Sequence, residues 1–216
     1  VALLAKTLGD TGWFASPFER HFEGDYGRLL LEHFWREDRF IDALGEEGTS
    51  GEANVWPFWT GVVTDQDMLR TALATLAREG FTDPYPLRYE TKRRPHIEVW
   101  LTRHLLPDYQ GSTVWTSIGA IYLALLRSVD PAAAAAGIGE YEDWIRRDGT
   151  FWEVMNAAGR CWVSPRYVLI GEESMLWSAI FLGLIAHPPL APALLSPTRR
   201  CGCAGLTGCN STSRPF

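Results

Sequence analysis

Apolar residues recur at helical spacing in several segments of the chain. In the clearest segment, 65–79, the apolar positions share one helix face: Met68, Leu69, Ala72, Leu73 and Leu76. Spacings of three and four residues place side chains on the same side of an α-helix, so this pattern predicts an amphipathic helix packed on a core. Similar patterns predict further helices over residues 18–40, 52–63, 113–128, 132–147 and about 173–186.

The predicted helices include two pairs joined by short turns. Residues 52–63 pair with 65–79, and 113–128 pair with 132–147. Pro57 inside the first of these segments predicts a kink, or a helix that starts near Trp56. Repeated hairpins of this kind predict an all-α chain that forms part of a toroid, with tight turns on one rim and long loops on the other.

A long connection, residues 81–112, separates the two pairs. It contains four prolines, which interrupt helices: Pro84, Pro86, Pro95 and Pro107. A connection this long inside a compact domain is usually functional. Its polar and aromatic parts are Pro86–Tyr89 and Asp108–Gly111. We therefore expect functional side chains on the rim that carries the long loops.

Composition restricts the class of protein. The net charge of -6 argues against a nucleic-acid partner, which would be held through phosphate contacts. No run of about 18 apolar residues predicts a membrane helix, and the cytoplasm is the default compartment. The cysteines and histidines match no zinc spacing, so neither a metal nor another cofactor is expected. Ten Trp residues, an unusual number, suit either a helical core or stacking surfaces for sugar rings.

Composition also divides the chain into two parts. Residues 1–188 carry the helical patterns and form the expected domain. Residues 189–216 are rich in Pro, Gly, Ser and Cys and have no periodicity, which predicts a disordered or non-native tail. The first residue is Val1, and the chain is expected to be a fragment of a longer protein. Its oligomeric state is left open.

The segment 149–184 carries the strongest candidate for chemistry. It holds Glu153 directly after Trp152, ahead of a short polar turn and an apolar helix. A carboxylate flanked by aromatic side chains is the composition of a sugar-processing site. The aromatic flank would raise the pKa of the carboxyl, and Arg160 or Arg166 is expected to keep it ionised. The pair Glu172-Glu173 is expected to favour the N-terminus of the following helix.

Three motifs resemble those of the six-hairpin glycosidases, which are (α/α)6 toroids. Residues 111–116, GSTVWT, resemble the Arg-Gly-Pro-Val-Trp-Pro segment of that group. Residues 149–159, GTFWEVMNAAG, resemble its base motif, with Met155 and Ala157 in place of the usual Tyr and Pro. Residues 176–179, LWSA, resemble the start of its last inner helix. The order and spacing resemble the C-terminal half of amylo-α-1,6-glucosidases or of processing α-glucosidases and mannosylglycerate hydrolases.

This resemblance implies a glycosidase that inverts an α-linked glucoside or a related sugar. It gives Glu153 the role of general base and places the general acid, an Asp, on an earlier hairpin upstream of Val1, so that the fragment alone would be inactive. Asp108 is a weaker candidate for the acid. The expected partner is a carbohydrate substrate, with no nucleic acid and no membrane. The expected substrate-binding residues are Trp56, Trp59, Arg88, Tyr89, Trp115 and Trp152.

Two other functions stay open on the sequence. The first is a sugar epimerase or isomerase on a similar toroid, which would use histidine as acid and base. His33, His96 and His104 are scattered and none lies in the segment around Glu153, which disfavours this reading. The second is a helical-repeat binding module without catalysis.

Overall fold

The computed structural model describes residues 26–165, 169–173, 176 and 178–186. Within these ranges the chain is mostly helical, as predicted. The helices are α1 (Tyr26–Phe34), α2 (Gly51–Trp59), α3 (Gln66–Arg78), α4 (Trp100–Leu105), α5 (Thr116–Val129), α6 (Pro131–Asp148) and α7 (Ser178–Ala186). Two antiparallel pairs of short strands accompany them: β1 (Trp35–Arg36) with β2 (Arg39–Phe40), and β3 (Val114–Trp115) with β4 (Val154–Met155).

Helix α5 is the element around which the other helices pack. It contacts α2, α3, α6 and α7. Every residue from Thr116 to Leu123 is buried. A helix enclosed on several sides needs apolar residues around most of its circumference, which explains why this stretch of α5 reads as apolar rather than amphipathic.

Both predicted hairpins are present, α2 with α3 and α5 with α6. Each second helix starts at an aspartate that caps its free backbone amides. The Asp65 carboxylate accepts hydrogen bonds from the backbone N–H groups of Asp67 at 2.9 Å and Met68 at 3.0 Å. The Asp130 carboxylate accepts from the N–H of Ala133 at 3.0 Å. These local caps explain why the predicted helices 65–79 and 132–147 are correct to within a few residues.

The predicted helix 18–40 is wrong at its end, because residues 35–40 form the β1–β2 hairpin. The buried side chain of Asn54 accounts for this change. Its amide oxygen accepts from the N–H of Phe40 at 2.8 Å, and its amide nitrogen donates to the carbonyl of Phe40 at 3.2 Å. This contact from α2 binds Phe40 in an extended conformation. Residues 18–25 lie outside the described ranges.

The starts of two other helices can be compared with their predictions. Helix α2 begins at Gly51, within one residue of the start of the predicted segment 52–63, and continues through Pro57, so the alternative start near Trp56 is wrong. Its start is set by Ser50, whose hydroxyl accepts from the N–H of Ala53 at 3.1 Å. Helix α7 begins at Ser178. The pair Glu172-Glu173 therefore does not belong to its first turn.

The long connections contact one another through backbone hydrogen bonds. The N–H of Tyr89 donates to the carbonyl of Thr113 at 2.9 Å, and the N–H of Trp115 donates to that of Leu87 at 2.9 Å. Strands β3 and β4 extend this contact by pairing Trp115 with Val154. We call these three contacting segments, residues 87–90, 113–116 and 152–155, the rim. The rim brings together segments that are far apart in the sequence.

Some predictions concern residues outside the described ranges. These include the tail 189–216 with its three cysteines, Trp177 of the third motif, and Arg166. Among the described residues, no helix combines the length and hydropathy that a membrane crossing requires.

Candidate active site

The backbone of Glu153 is held at the rim by neighbours on both sides. Its N–H donates to the carbonyl of Glu172 at 2.8 Å. Its carbonyl accepts from the backbone N–H of Thr116 at 3.2 Å and from the Thr116 hydroxyl at 3.1 Å. Thr116 is the first residue of α5 and is fully buried. A helix whose first eight residues are all buried therefore positions the candidate base.

The electrostatic surroundings of Glu153 raise the pKa of its side chain. Burial is the largest cause, and the nearby charge of Glu172 adds to it. The Glu172 backbone N–H and the hydroxyl of Tyr109 make hydrogen-bonding contacts that act in the opposite direction. A raised pKa makes the carboxylate a better proton acceptor, as general-base catalysis requires.

Arg160 does not take the expected part in this arrangement. Its charge instead helps to lower the pKa of Asp148, whose main partner is Arg147. The groups that act on Glu153 within the described residues are Glu172 and Tyr109. The structure thus replaces the expected arginine with a tyrosine hydroxyl and a backbone N–H.

Four aromatic rings form a continuous row beside Glu153. The ring centroids of Tyr89 and Trp115 are 5.9 Å apart, those of Trp115 and Tyr109 are 5.0 Å apart, and those of Tyr109 and Trp162 are 5.0 Å apart. The Trp115 indole N–H also donates to the carbonyl of Tyr109 at 3.0 Å. We call these four residues the aromatic row. Trp162 is buried, so the partly exposed rings of Tyr89, Trp115 and Tyr109 are those that can offer an apolar face to a sugar.

The tyrosine hydroxyls connect the aromatic row to carboxylates at both ends. Burial, followed by the charge of Glu153, raises the pKa of Tyr109 to about 12. Burial, followed by the charge of Glu52, raises the pKa of Tyr89 as well. Both tyrosines make hydrogen-bonding contacts with these glutamates and so remain protonated donors near neutral pH. The row therefore links Glu52 to Glu153.

Sequence reasoning found only part of this arrangement. It identified Tyr89, Trp115 and Glu153, but it missed Glu52 and Trp162 and noted Tyr109 only as part of a loop. The spacing of Glu52, Trp56 and Trp59 was an available signal, because residues separated by four and three positions share a helix face. No local pattern marks Trp162, whose place depends on contacts between distant loops.

The two tryptophans of α2 differ in their surroundings. The Trp56 indole N–H donates to Oε1 of Glu52 at 3.1 Å, and the ring packs partly against the core. Trp59, at the C-terminal end of the same helix, is 36% exposed. Trp56 thus belongs to the Glu52 end of the site, while Trp59 offers an exposed ring next to it on the helix.

Arg88 and Trp152 are engaged away from the aromatic row. The Arg88 guanidinium donates to the carbonyl of Asp83 and lies 3.7 Å from its carboxylate. The Trp152 indole N–H donates to the carboxylate of Asp148 at 3.0 Å, at the end of α6. Each of these two side chains, expected to bind sugar, thus has a partner within the protein, and its role toward a sugar stays a prediction.

Asp108 is also occupied by local contacts. Its carboxylate accepts from the backbone N–H and from the hydroxyl of Ser112, both at 2.8 Å. These bonds close the turn that leads into β3, a structural role. Two of the described histidines have partners elsewhere: His96 lies 3.5 Å from Glu46, and His104 contacts the ring of Trp100.

A separate cavity of about 350 Å³ lies between α6 and α7. It is lined mainly by apolar side chains, including Ile145, Phe151 and Phe181, and Glu153 is not among them. Its chemistry offers packing rather than proton transfer.

No protein-family model, curated protein or solved structure matches the chain, so a function must be inferred from the geometry of the rim.

Proposed function

We propose that this chain is part of an inverting glycoside hydrolase that acts on α-linked glucosides or related sugars, with Glu153 as the general base. One observation carries the proposal. A partly buried carboxylate with a raised pKa contacts Tyr109, a member of a continuous row of four aromatic rings. Proton acceptor and stacking surface are therefore adjacent.

Inversion requires two carboxyl groups about 6.5–9.5 Å apart. The base removes a proton from water while the water oxygen bonds to the anomeric carbon. The acid gives its proton to the departing glycosidic oxygen. The burial of Glu153 supports the first role, because it favours proton uptake. For the second role, the resemblance to six-hairpin glycosidases implies an Asp on an earlier hairpin.

The same proposal includes the architecture. The pairs α2–α3 and α5–α6 would be two hairpins of an (α/α)6 toroid. The contacts between the long connections support it, since loops that leave the same end of successive hairpins can contact one another.

The test is Glu153→Gln in the complete protein, assayed on maltooligosaccharides and isomaltose. Glutamine keeps the shape of the side chain and removes the proton acceptor. We expect kcat to fall by roughly 10²–10⁴, the usual contribution of general-base catalysis. Proton NMR of the first product should show β-glucose from an α-glucoside in the wild type.

Glu142→Gln is the matched control. Glu142 pairs with Arg146 at 3.1 Å in α6. This variant loses a comparable charge outside the rim and should keep its activity. Unchanged turnover by Glu153→Gln would refute the assignment, and release of α-glucose would refute inversion.

A further inference from the structure

We propose that Glu52 binds substrate in the same site as Glu153, and that this site selects uncharged or cationic glycosides over those that carry a carboxylate or phosphate. This inference rests on the proposed function and specifies its substrate class. It concerns a residue that the sequence motifs do not include.

Glu52 and Glu153 lie at the two ends of one surface. Tyr89, which contacts Glu52, and Tyr109, which contacts Glu153, both pack on Trp115, with ring centroids 5.9 and 5.0 Å from that ring. A sugar stacked on this ring would have a glutamate at either side.

Glu52 retains the capacity to bind a ligand. A carboxylate has about four acceptor positions. The Trp56 indole N–H occupies one of them at 3.1 Å, and the Tyr89 hydroxyl contacts the same carboxylate. The remaining positions can accept hydrogen bonds from sugar hydroxyl groups.

Negative charge at the site exceeds the positive charge nearby. At the Tyr89 end, Arg94 is the only described cation paired with Asp42 and Glu90. Glu90 is 4% exposed, and its Oε2 has no hydrogen-bond partner within the described residues. At the other end, Glu172 adds its charge to that of Glu153. An anionic ligand would meet like charges at both ends.

Two described arginines near the Tyr89 end already have carboxylate partners. Arg88 contacts Asp83, and Arg94 is shared by its two carboxylates. Over the described ranges, no ion pair reaches Glu52, Glu153 or Glu172 at a distance of 4.0 Å or less. Like charges placed close together at a binding surface disfavour association strongly, and this supports rejection of anionic substrates.

The experiment compares α-glucosylglycerol with α-glucosylglycerate, which share sugar and linkage and differ by one carboxylate. The complete protein, Glu52→Gln and Glu142→Gln would be assayed on both. We expect the wild type to show a kcat/KM at least about tenfold higher for glucosylglycerol, a ratio that corresponds to about 1.4 kcal/mol. Glu52→Gln should raise the KM for glucosylglycerol and lower this ratio, while Glu142→Gln should leave the KM and the ratio unchanged.

A measurement on the wild type alone keeps the test independent of folding defects. Raising the ionic strength from about 0.01 M to about 1 M shortens the screening length from roughly 30 to 3 Å. This change should lower the ratio of kcat/KM for glucosylglycerol to kcat/KM for glucosylglycerate. Equal use of both substrates at low salt would overturn the inference, as would a Glu52→Gln variant with unchanged KM and ratio.

Calorimetric titration of Glu153→Gln with both compounds separates this inference from the proposed function. If the variant binds glucosylglycerol more tightly than glucosylglycerate but the wild type hydrolyses neither, the selectivity stands and the hydrolase proposal fails. If Glu153→Gln abolishes turnover but binding shows no preference, the hydrolase proposal stands and the inference fails. Binding of neither compound would overturn the inference, while the hydrolase proposal would be decided separately by turnover of maltooligosaccharides and isomaltose.

Discussion

At the residue scale, the behaviour of Glu153 depends on two neighbours with opposite effects. The charge of Glu172 raises the pKa of Glu153, and the hydroxyl of Tyr109 lowers it. A general base acts only when it is ionised, so activity falls as the pH drops through the pKa of that carboxyl. The acidic limb of the pH profile of activity therefore depends on Glu172 and Tyr109. Each of these side chains can be substituted without changing Glu153.

Glu172→Gln should move the acidic limb of kcat/KM to lower pH, because it removes a like charge. Glu172 is exposed, and exposed charge pairs are worth about 0.2–1 kcal/mol, which corresponds to roughly 0.1–0.7 pH unit. The pH dependence of kcat/KM on an α-glucoside measures this shift. A shift to higher pH would contradict the sign of the interaction.

Tyr109→Phe should move the same limb to higher pH. The substitution removes a hydroxyl that favours the ionised form of Glu153 and keeps the ring in contact with Trp115 and Trp162. The pH profile measures this change, and Tyr122→Phe, in buried α5, is a control that should leave the limb in place. A limb that stays at the wild-type position in Tyr109→Phe would show that the hydroxyl does not act on Glu153.

At the scale of elements, the close contact between α5 and α6 helps to position the part of the rim that contains Tyr89. Gly119 of α5 lies against the hydroxyl of Tyr141, a fully buried residue of α6. That hydroxyl donates to the carbonyl of Pro86, in the long connection. A glycine on α5 thus allows α6 to hold the loop that leads to Tyr89.

Gly119→Ala should destabilise the protein. The new methyl group would overlap the Tyr141 hydroxyl and the Pro86 carbonyl, and overpacking of a core typically costs about 1–3 kcal/mol. Gly139→Ala, in α6, is the matched control, because no atom lies within 4 Å of its new methyl group. It should stabilise by about 0.4–1 kcal/mol. Chemical denaturation measures both, and equal effects would refute the steric explanation.

At the scale of the whole molecule, burial is distributed unevenly. Helix α5 contains a run of eight consecutive buried residues, Thr116–Leu123. Helix α4 contains no buried residue, and its Trp100 is 70% exposed. Local opening costs the least free energy where few apolar contacts are lost. The long connection should therefore open more readily than the helical core that holds Glu153 in place.

Native-state hydrogen exchange should follow this distribution. Backbone amides in the middle of α5 are expected to exchange slowest, through global unfolding, and those of α4 to exchange fastest among the helices of the described ranges. Mass spectrometry of peptides from both helices measures the difference. Comparable protection in α4 and α5 would mean that contacts beyond the described ones cover the exposed face of α4.

Local sequence determined the helices whose signals are contained within a few residues. Helices α3 and α6 are set by an apolar face, an aspartate at the N-terminus and a breaker at the end, and each of these acts over one or two turns. The mostly helical class follows from the same signals. Glu153 was identified because its aromatic neighbour is adjacent in the chain.

Tertiary structure decided the features that depend on distant partners. Asn54 holds Phe40 in strand β2, at the end of a segment that was predicted to be mostly helical. The backbone carbonyl of Glu172, which precedes α7 in the chain, accepts a hydrogen bond from the N–H of Glu153. Glu52 and Trp162 join the site because Tyr89 and Tyr109 reach them across the rim. Such contacts leave no local periodicity, since their energy arises only when separate segments come together.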